Sequence, residues 1–422
     1  MSTVIPYVIQ HICLERLQHD QIIIDPELKY YCCFWWKEIP LGHLFIEKGM
    51  LTDTDRLQQK IWEAISPAID HYVSKPVATE IDYRRLFLEK KHKTFSLAME
   101  SLLSDHRDDV FNEDTDITVI ICTRNRSNDL QRCLFSLQEQ ICPPKEIIVV
   151  DNAPVDDSTF NVTRQFPLVV YCKELRGGLS IARNTGIRQA ACPIIAFTDD
   201  DVTPHPFWLY HVKKSFCSLQ VAAMTGLVIA ASLKSKSQQL FEKNWSFNGG
   251  YRDKIYDNGY FARQLRTGPR VWDIGAGANM AFRKSAISLT GLFDERLGAG
   301  AAGCSEDSEI WFRILAKGFA IHYNPRAVVF HEHRKELEAL FRQIFSYMKG
   351  HAVAALIQQS LVQEAGYRQY LNKKIVKGYF PLLIKRFLNA GERKLLLIQL
   401  HGLFAGIFFF YKNKNKPSNT NV

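Results

Sequence analysis

The pattern of apolar and polar positions changes character along the chain, and it is clearest between residues 116 and 203. Apolar runs at 117–122, 146–150, 168–171 and 194–197 alternate with stretches of helical spacing at 127–140, 157–165 and 179–191. Short, continuous apolar runs predict strands buried on both faces of a parallel sheet. Their alternation with helices predicts right-handed crossovers. Leu130, Leu134 and Leu137 mark one face of the first helix, and Pro143-Pro144 stops it. Three of the strands end in polar clusters: Thr123 to Arg126, Asp151-Asn152, and Asp199-Asp200-Asp201. The carboxyl ends of parallel strands lie on one edge, so these clusters predict a ligand crevice.

The flanks read differently. The opening 75 or so residues hold an aromatic run from Tyr30 to Trp36, then Pro40-Leu-Gly-His-Leu44. A small core built from aromatics is expected there. Residues 78–104 are charged and helix-like, and the acidic stretch 105–115 reads as a linker. Near the other end, Lys373, Lys374, Lys377, Lys385, Arg386, Arg393 and Lys394 precede an apolar run over 395–411, which Lys412, Lys414 and Lys416 follow. The run is at the short limit for a bilayer span of about 20 residues, and Gln399, His401 and two glycines interrupt it. An interfacial helix on an anionic lipid surface is the expectation. A helix docked on the main domain gives the same pattern and stays open as the alternative.

Composition narrows the classes. The 422 residues allow two or three domains, and 46% hydrophobic with 23% charged residues is ordinary for a soluble globular protein. A formal net charge of +9 suits anionic substrates or an anionic membrane surface, and does not by itself indicate nucleic acid. The ten cysteines form no CxxC pair, so neither a zinc site nor a disulfide framework is suggested. With no signal-peptide pattern at the N-terminus, a cytoplasmic setting is expected.

Three chemical features stand out. Asp199, Asp200 and Asp201 repel one another, a cost that a bound cation relieves. Asp199 and Asp201 are two apart and share one side of an extended backbone. A hard divalent ion, Mn²⁺ or Mg²⁺, suits such oxygen ligands. Second, the run Gly298-Ala-Gly-Ala-Ala-Gly303 satisfies GxGxxG, but no buried strand precedes it, so a dinucleotide site is not expected. A loop closing over bound substrates fits better. Third, Ser305-Glu-Asp-Ser-Glu309 opens a helix, with Ser305 as N-cap and acids in its first turn.

Taken together, ITVIICTRNR, EIIVVDNA, GLSIARNTGIRQA and IIAFTDDDV resemble, in order and spacing, the nucleotide-sugar half of a family 2 glycosyltransferase. VWDIGAGANMAFRKSA, GLFDERLG, SEDSEIWFRIL and YNPRAVVFHEH resemble its acceptor half. The resemblance covers about residues 116–335 and implies a GT-A fold, a Rossmann-like, mostly parallel sheet flanked by helices. An accessory segment over 1–104 would precede this domain, and a helical region over 336–422 would follow it.

The resemblance implies donor contacts from Thr123, Arg124, Asn125, Arg126, Asp151, Arg183, Asn184, Asp199 and Asp200. Arg124 departs from the family, which most often has Tyr there. It implies a metal held by Asp201, Asp199 and a histidine, taken as His331 rather than His333. It implies acceptor contacts from Trp272, Gly277 and Asn279, and a catalytic base at Asp307 with Glu306 beside it. The expected activity is metal-dependent, inverting transfer of a sugar from a nucleotide-diphospho-sugar to a hydroxyl of a glycan or lipid-linked acceptor. The alternatives are a non-catalytic nucleotide-sugar or glycan-binding module, and a nucleotidyltransferase. The latter would need a glycine-rich phosphate loop after the first strand, and 123–126 has no glycine.

Overall fold

The structure is a computed structural model that describes residues 4–16, 24–50, 53–73, 81–106, 115–379, 381–382 and 390–415. Most of the acidic 105–115 stretch lies outside the described residues.

Strands β1 (Tyr7–Cys13), β2 (Lys29–Trp36) and β3 (Ile39–Ile46) form a small sheet, with β1 parallel and β3 antiparallel to β2. Helices α1 (Thr54–Val73), α2 (Tyr83–Leu88) and α3 (His92–Leu103) follow. The aromatic run is the central strand of this sheet, and its period of two serves two cores. Tyr30, Cys32, Phe34 and Trp36 pack with Ile65, Phe87 and Phe95 of the helices. Tyr31, Cys33 and Trp35 pack instead with Leu227, Ile229 and Val328 of the large sheet.

The large sheet begins with β4 (Thr115–Thr123), α4 (Ser127–Gln138), β5 (Pro144–Asn152), α5 (Ser158–Thr163), β6 (Val169–Glu174), α6 (Leu179–Gln189) and β7 (Ile194–Asp199). It continues through β8 (Val202–Pro204), α7 (Trp208–Ser215), β9 (Val221–Ala230), α8 (Lys236–Trp245), β10 (Lys254–Tyr256) and α9 (Asn258–Gln264). It closes with β11 (Asn279–Arg283), α10 (Lys284–Thr290), α11 (Glu306–Ala316) and β12 (Ala320–His331). The order is β10-β12-β9-β11-β7-β4-β5-β6, with β8 pairing β12. Strands β7, β4, β5 and β6 are parallel, and β11 inserts antiparallel between β7 and β9. Both faces are covered: Val119 and Ile121 meet α4 and α7, while Ile120 meets α6 and the α11 cluster. This is a mixed α/β sheet flanked by helices on both faces.

The apolar stretch 327–330 is the end of the longer β12. Its first part pairs with Val221 to Gly226 before an irregularity between Asn324 and Val328. Asn324-Pro-Arg326 breaks the apolar pattern at that point and hides the first half.

Past the sheet come α12 (Leu337–Leu361), α13 (Tyr367–Lys373), a π-helical turn (Lys374–Tyr379) and α14 (Ala390–Asn413). Of the two readings of the apolar tail, the docked helix is the one observed. Helix α14 lies against α12 and buries Leu396, Leu400 and Leu403. A side-chain carbon at Gly402 or Gly406 would collide with the carbonyl of Phe345 or Lys349, so these glycines set the close approach. The outer side of α14 stays apolar and exposed: Leu397, Phe404, Phe408 and Tyr411 are 55, 49, 71 and 55% exposed. By length and composition α14 is also able to cross a membrane.

Candidate active site

A cleft of about 1430 Å³ opens beyond the carboxyl ends of β4, β5 and β7, and it contains both acid clusters. Asp199 ends β7, and Asp200 and Asp201 form the turn into β8. The three carboxylates divide. Asp200 is buried and accepts from Thr123 Oγ1 (2.8 Å) and Arg126 (2.6 Å). Arg126 also donates to Asp201 Oδ2 at 2.7 Å. Burial pushes the Asp199 carboxyl up to about 6 and that of Asp200 up to about 7. Burial acts the same way on Asp201, but His331 and Arg126 outweigh it and hold that carboxyl below its usual value.

Asp199, Asp201 and His331 offer ligand atoms that all lie within 4.8 Å of one another. His331 Nε2 is 3.4 Å from Asp201 Oδ1, and burial pushes its imidazole down to about 4, so it is neutral at physiological pH. Two carboxylates and a neutral imidazole form a donor set that fits a divalent cation. Behind His331, its Nδ1 meets His333 Nδ1 at 3.2 Å, and His333 Nε2 meets Glu242 of α8 at 2.9 Å. His333 therefore faces away from the acids. Tyr31 of β2 donates to the same Glu242 at 3.4 Å, which ties the small sheet to this chain of contacts.

Arg183 of α6 stands between the triplet and the second acid cluster. Its guanidinium reaches Glu306 at 2.5 Å and Asp199 at 3.7 Å, and it is nearly inaccessible to solvent. Glu306 is thus turned onto Arg183 rather than toward an acceptor. Asp307 lines the cleft, where its Oδ1 accepts from Ser308 N (2.6 Å), and burial raises its carboxyl. Gly277 separates the two: a side-chain carbon there would lie 2.9 Å from Arg183 and 3.2 Å from Asp307. Ser305 occupies the N-cap position of α11 but at φ +70°, without capping through its hydroxyl; its Oγ meets Cys304 Sγ instead.

The glycine run 298–303 follows a turn, with positive φ at Gly298, Gly300 and Gly303. It lies over the start of α6, where Leu179 N donates to Ala299 O and Ser180 Oγ to Leu297 O.

The remaining candidates divide between the cleft and the frame. Arg124 lines the cleft, while Asn125, at φ +55°, accepts from Val155 N. Trp272 lines the cleft and packs on His351 and Tyr370. Asp151 is buried at the end of β5; its Oδ2 accepts from Tyr171 at 3.0 Å, and its Oδ1 has no partner. Asn184 braces the turn after α10 through Phe293 and Glu295, rather than facing the cleft. Asn279 is fully buried in β11, where it bonds Leu227 O, Ala327 O and Trp208 Nε1, so its side chain serves the sheet and not an acceptor. The bracing roles of Arg126, His333 and Glu242 had no local signal, because their partners are distant in sequence.

Residues 118–289 match the family model of glycosyl transferase family 2. The matched stretch runs from β4 into α10. Over 225 residues it is 29% identical to the pre-mycofactocin glycosyltransferase of Mycobacterium tuberculosis, a match covering 53% of this chain and 44% of that protein. Over 191 residues it is 37% identical to the glycosyltransferase AglE of Haloferax volcanii, covering 44% and 58% respectively. The chain thus spans about half the length of these curated relatives. A solved structure, the mannosyltransferase PcManGT from Pyrobaculum calidifontis in complex with GDP-Man and Mn²⁺, is similar at 17% identity and a TM-score of 0.46, covering 72% of this chain and 89% of that one.

Proposed function

We propose that this chain transfers a sugar, with inversion, from a nucleotide-diphospho-sugar to a hydroxyl of a glycan or lipid-linked acceptor. Residues 116–335 would form the catalytic unit, 1–104 an accessory unit, and 336–422 the acceptor-side helical region. The observation that carries the reading is the joining of two acid clusters in one cleft by a single buried arginine.

In this reading Asp199, Asp201 and His331 hold a divalent cation, Mn²⁺ or Mg²⁺, which neutralises the donor diphosphate. The unpartnered Oδ1 of Asp151, beside the cleft-lining Asn152, is assigned a hydrogen bond from the base or ribose, and Arg124 lines the cleft. Asp307 accepts the proton of the attacking hydroxyl, and its raised basicity suits that task. Arg183 holds Glu306 and Asp199 at fixed positions, and so orients the base relative to the donor.

The test is a thermal-shift panel of nucleotide sugars with and without Mn²⁺. A ligand of the folded state raises the melting temperature by mass action. The reading expects a metal-dependent shift for one nucleotide family, lost in Asp201→Ala, and release of the nucleoside diphosphate when acceptor extracts are added. No shift with any donor would overturn it.

The outer face of α14 supports a cytoplasmic enzyme bound peripherally to the inner face of the cell membrane. Its exposed apolar stripe is flanked by Lys394, Lys412 and Lys414. Replacing Leu397, Phe404 and Phe408 by Ser should abolish flotation with anionic vesicles while leaving the melting temperature unchanged. Undiminished flotation would remove the membrane role.

A further inference from the structure

Past Trp272 the cleft continues to a basic wall that the transfer chemistry leaves unused. Lys374, at the start of the π-helical turn, lines both this cleft and an adjoining pocket of about 480 Å³. Its Nζ donates to the Tyr370 hydroxyl at 3.0 Å and lies over that ring. Among the described residues no carboxylate comes within ion-pair distance of it. Burial, with Arg270 close by, pushes its ammonium down to about 8, and Asp273 opposes this only in part. Arg266 and Lys373 line the adjoining pocket. The nearby carboxylate, Asp273, is already engaged by Arg270 at 2.8 Å.

The surplus of positive charge is larger than one carboxylate would neutralise, and it suits a phosphate or diphosphate. Aromatic side chains also border this end of the cleft. Trp272 shares a small cavity with Ser305 and Ser308, which bracket Glu306 and Asp307, and its ring lies 5.3 Å from that of Tyr370 at 32°. Aromatic faces of this kind pack against the C–H faces of a sugar ring.

We infer that this end of the cleft is an acceptor subsite for a phosphate ester, in which the acceptor sugar lies along Trp272 and Tyr370 and its phosphate is held by Lys374 and Arg270. The inference rests on the glycosyltransferase reading for its direction, since the attacking hydroxyl then points to Asp307. The cationic site itself is independent of that reading.

The test is calorimetric titration of the full chain, free of metal, with glucose 1-phosphate and with glucose. Wild type should bind the phosphate ester at least about tenfold tighter than glucose. Lys374→Ala should lose at least about tenfold, the scale of one charged hydrogen bond. Lys374→Arg should retain the affinity, Arg270→Ala should lose a few-fold, and Asp201→Ala should change nothing. Equal affinities in wild type and Lys374→Ala would overturn the inference. Tighter binding in Asp201→Ala, where the metal-free carboxylate no longer repels the anion, would assign the phosphate to the donor end, overturning the subsite while leaving the donor reading intact. Should Lys374→Ala fail to fold by circular dichroism, the more exposed Arg270→Ala decides, and unchanged affinity there overturns the inference. Competition by neutral phosphatidylcholine vesicles doped with a polyprenyl phosphate assigns a lipid source, and competition by soluble sugar phosphates alone assigns a soluble one.

Discussion

The two acid clusters of the cleft solve one problem in different ways. In each, neighbouring carboxylates are forced together and one is committed to the frame. In the triplet the frame acid is Asp200, held by Thr123 and by Arg126. Its neighbour Asp201 has two cationic contacts, from Arg126 and Arg334, with the neutral His331 beside it. In the pair at α11 the frame acid is Glu306, and its one ion-pair partner among the described residues is Arg183. Asp201 is thus redundantly supported and Glu306 is not. Adjacent acids are therefore poor evidence of shared chemistry, because one of them can be the brace that positions the other.

That contrast breaks most sharply at the arginines. Arg183→Ala would strand a buried Glu306, at a cost of about 3–5 kcal/mol. Arg126 is partly exposed, Asp200 keeps the Thr123 hydroxyl and Asp201 keeps Arg334, so Arg126→Ala should cost less, about 1 kcal/mol. Urea denaturation of the two variants checks the ranking, and equal losses would contradict it.

The support behind the triplet gives a smaller effect. His333 and Glu242 orient His331 from behind, and outer-shell groups of this kind typically contribute about 10–100-fold in metal affinity. His333→Ala and Glu242→Gln should each weaken Mn²⁺ binding by about that factor, as read by paramagnetic resonance of the free ion. Wild-type affinity in both would mean that His331 does not bind the ion.

The smallest effect is in pH. A ligating carboxylate must be ionised, and Asp199 is pushed up to about 6. Below that value it is protonated, so Mn²⁺ affinity should fall by up to about tenfold per pH unit as pH drops, and should level off above about pH 6. Asp201, held low, stays ionised throughout. A flat profile between pH 5 and 8 would remove Asp199 from the ligand set.

Much of the fold was legible because its strands are buried on both faces. The runs around Ile120, Ile148 and Ile195 have no polar alternation to confuse them, and the polar residues that end them mark the cleft edge. The placing of Asp199 and Asp201 on one side was legible from the strand pattern, whereas His331 was expected beside them only through the family resemblance. Asn279 was not: it sits in a motif-rich stretch, yet the antiparallel insertion of β11 buries it among backbone carbonyls. Arg126 and Glu306 read as ligand contacts because no local pattern reveals a partner some 75 or 120 residues away. The tail was ambiguous in principle, since the Gly402 and Gly406 spacing that docks α14 on α12 also suits a helix in lipid.

The central claim is that the two clusters divide the work, the triplet serving the donor and Asp307 the acceptor hydroxyl. Donor affinity and turnover measured together in Asp307→Asn test it most directly. The account predicts a donor dissociation constant within about twofold of wild type, with turnover lowered by about two to four orders of magnitude, the scale of general-base catalysis. Wild-type turnover in Asp307→Asn would contradict it, and so would loss of donor binding in parallel with turnover.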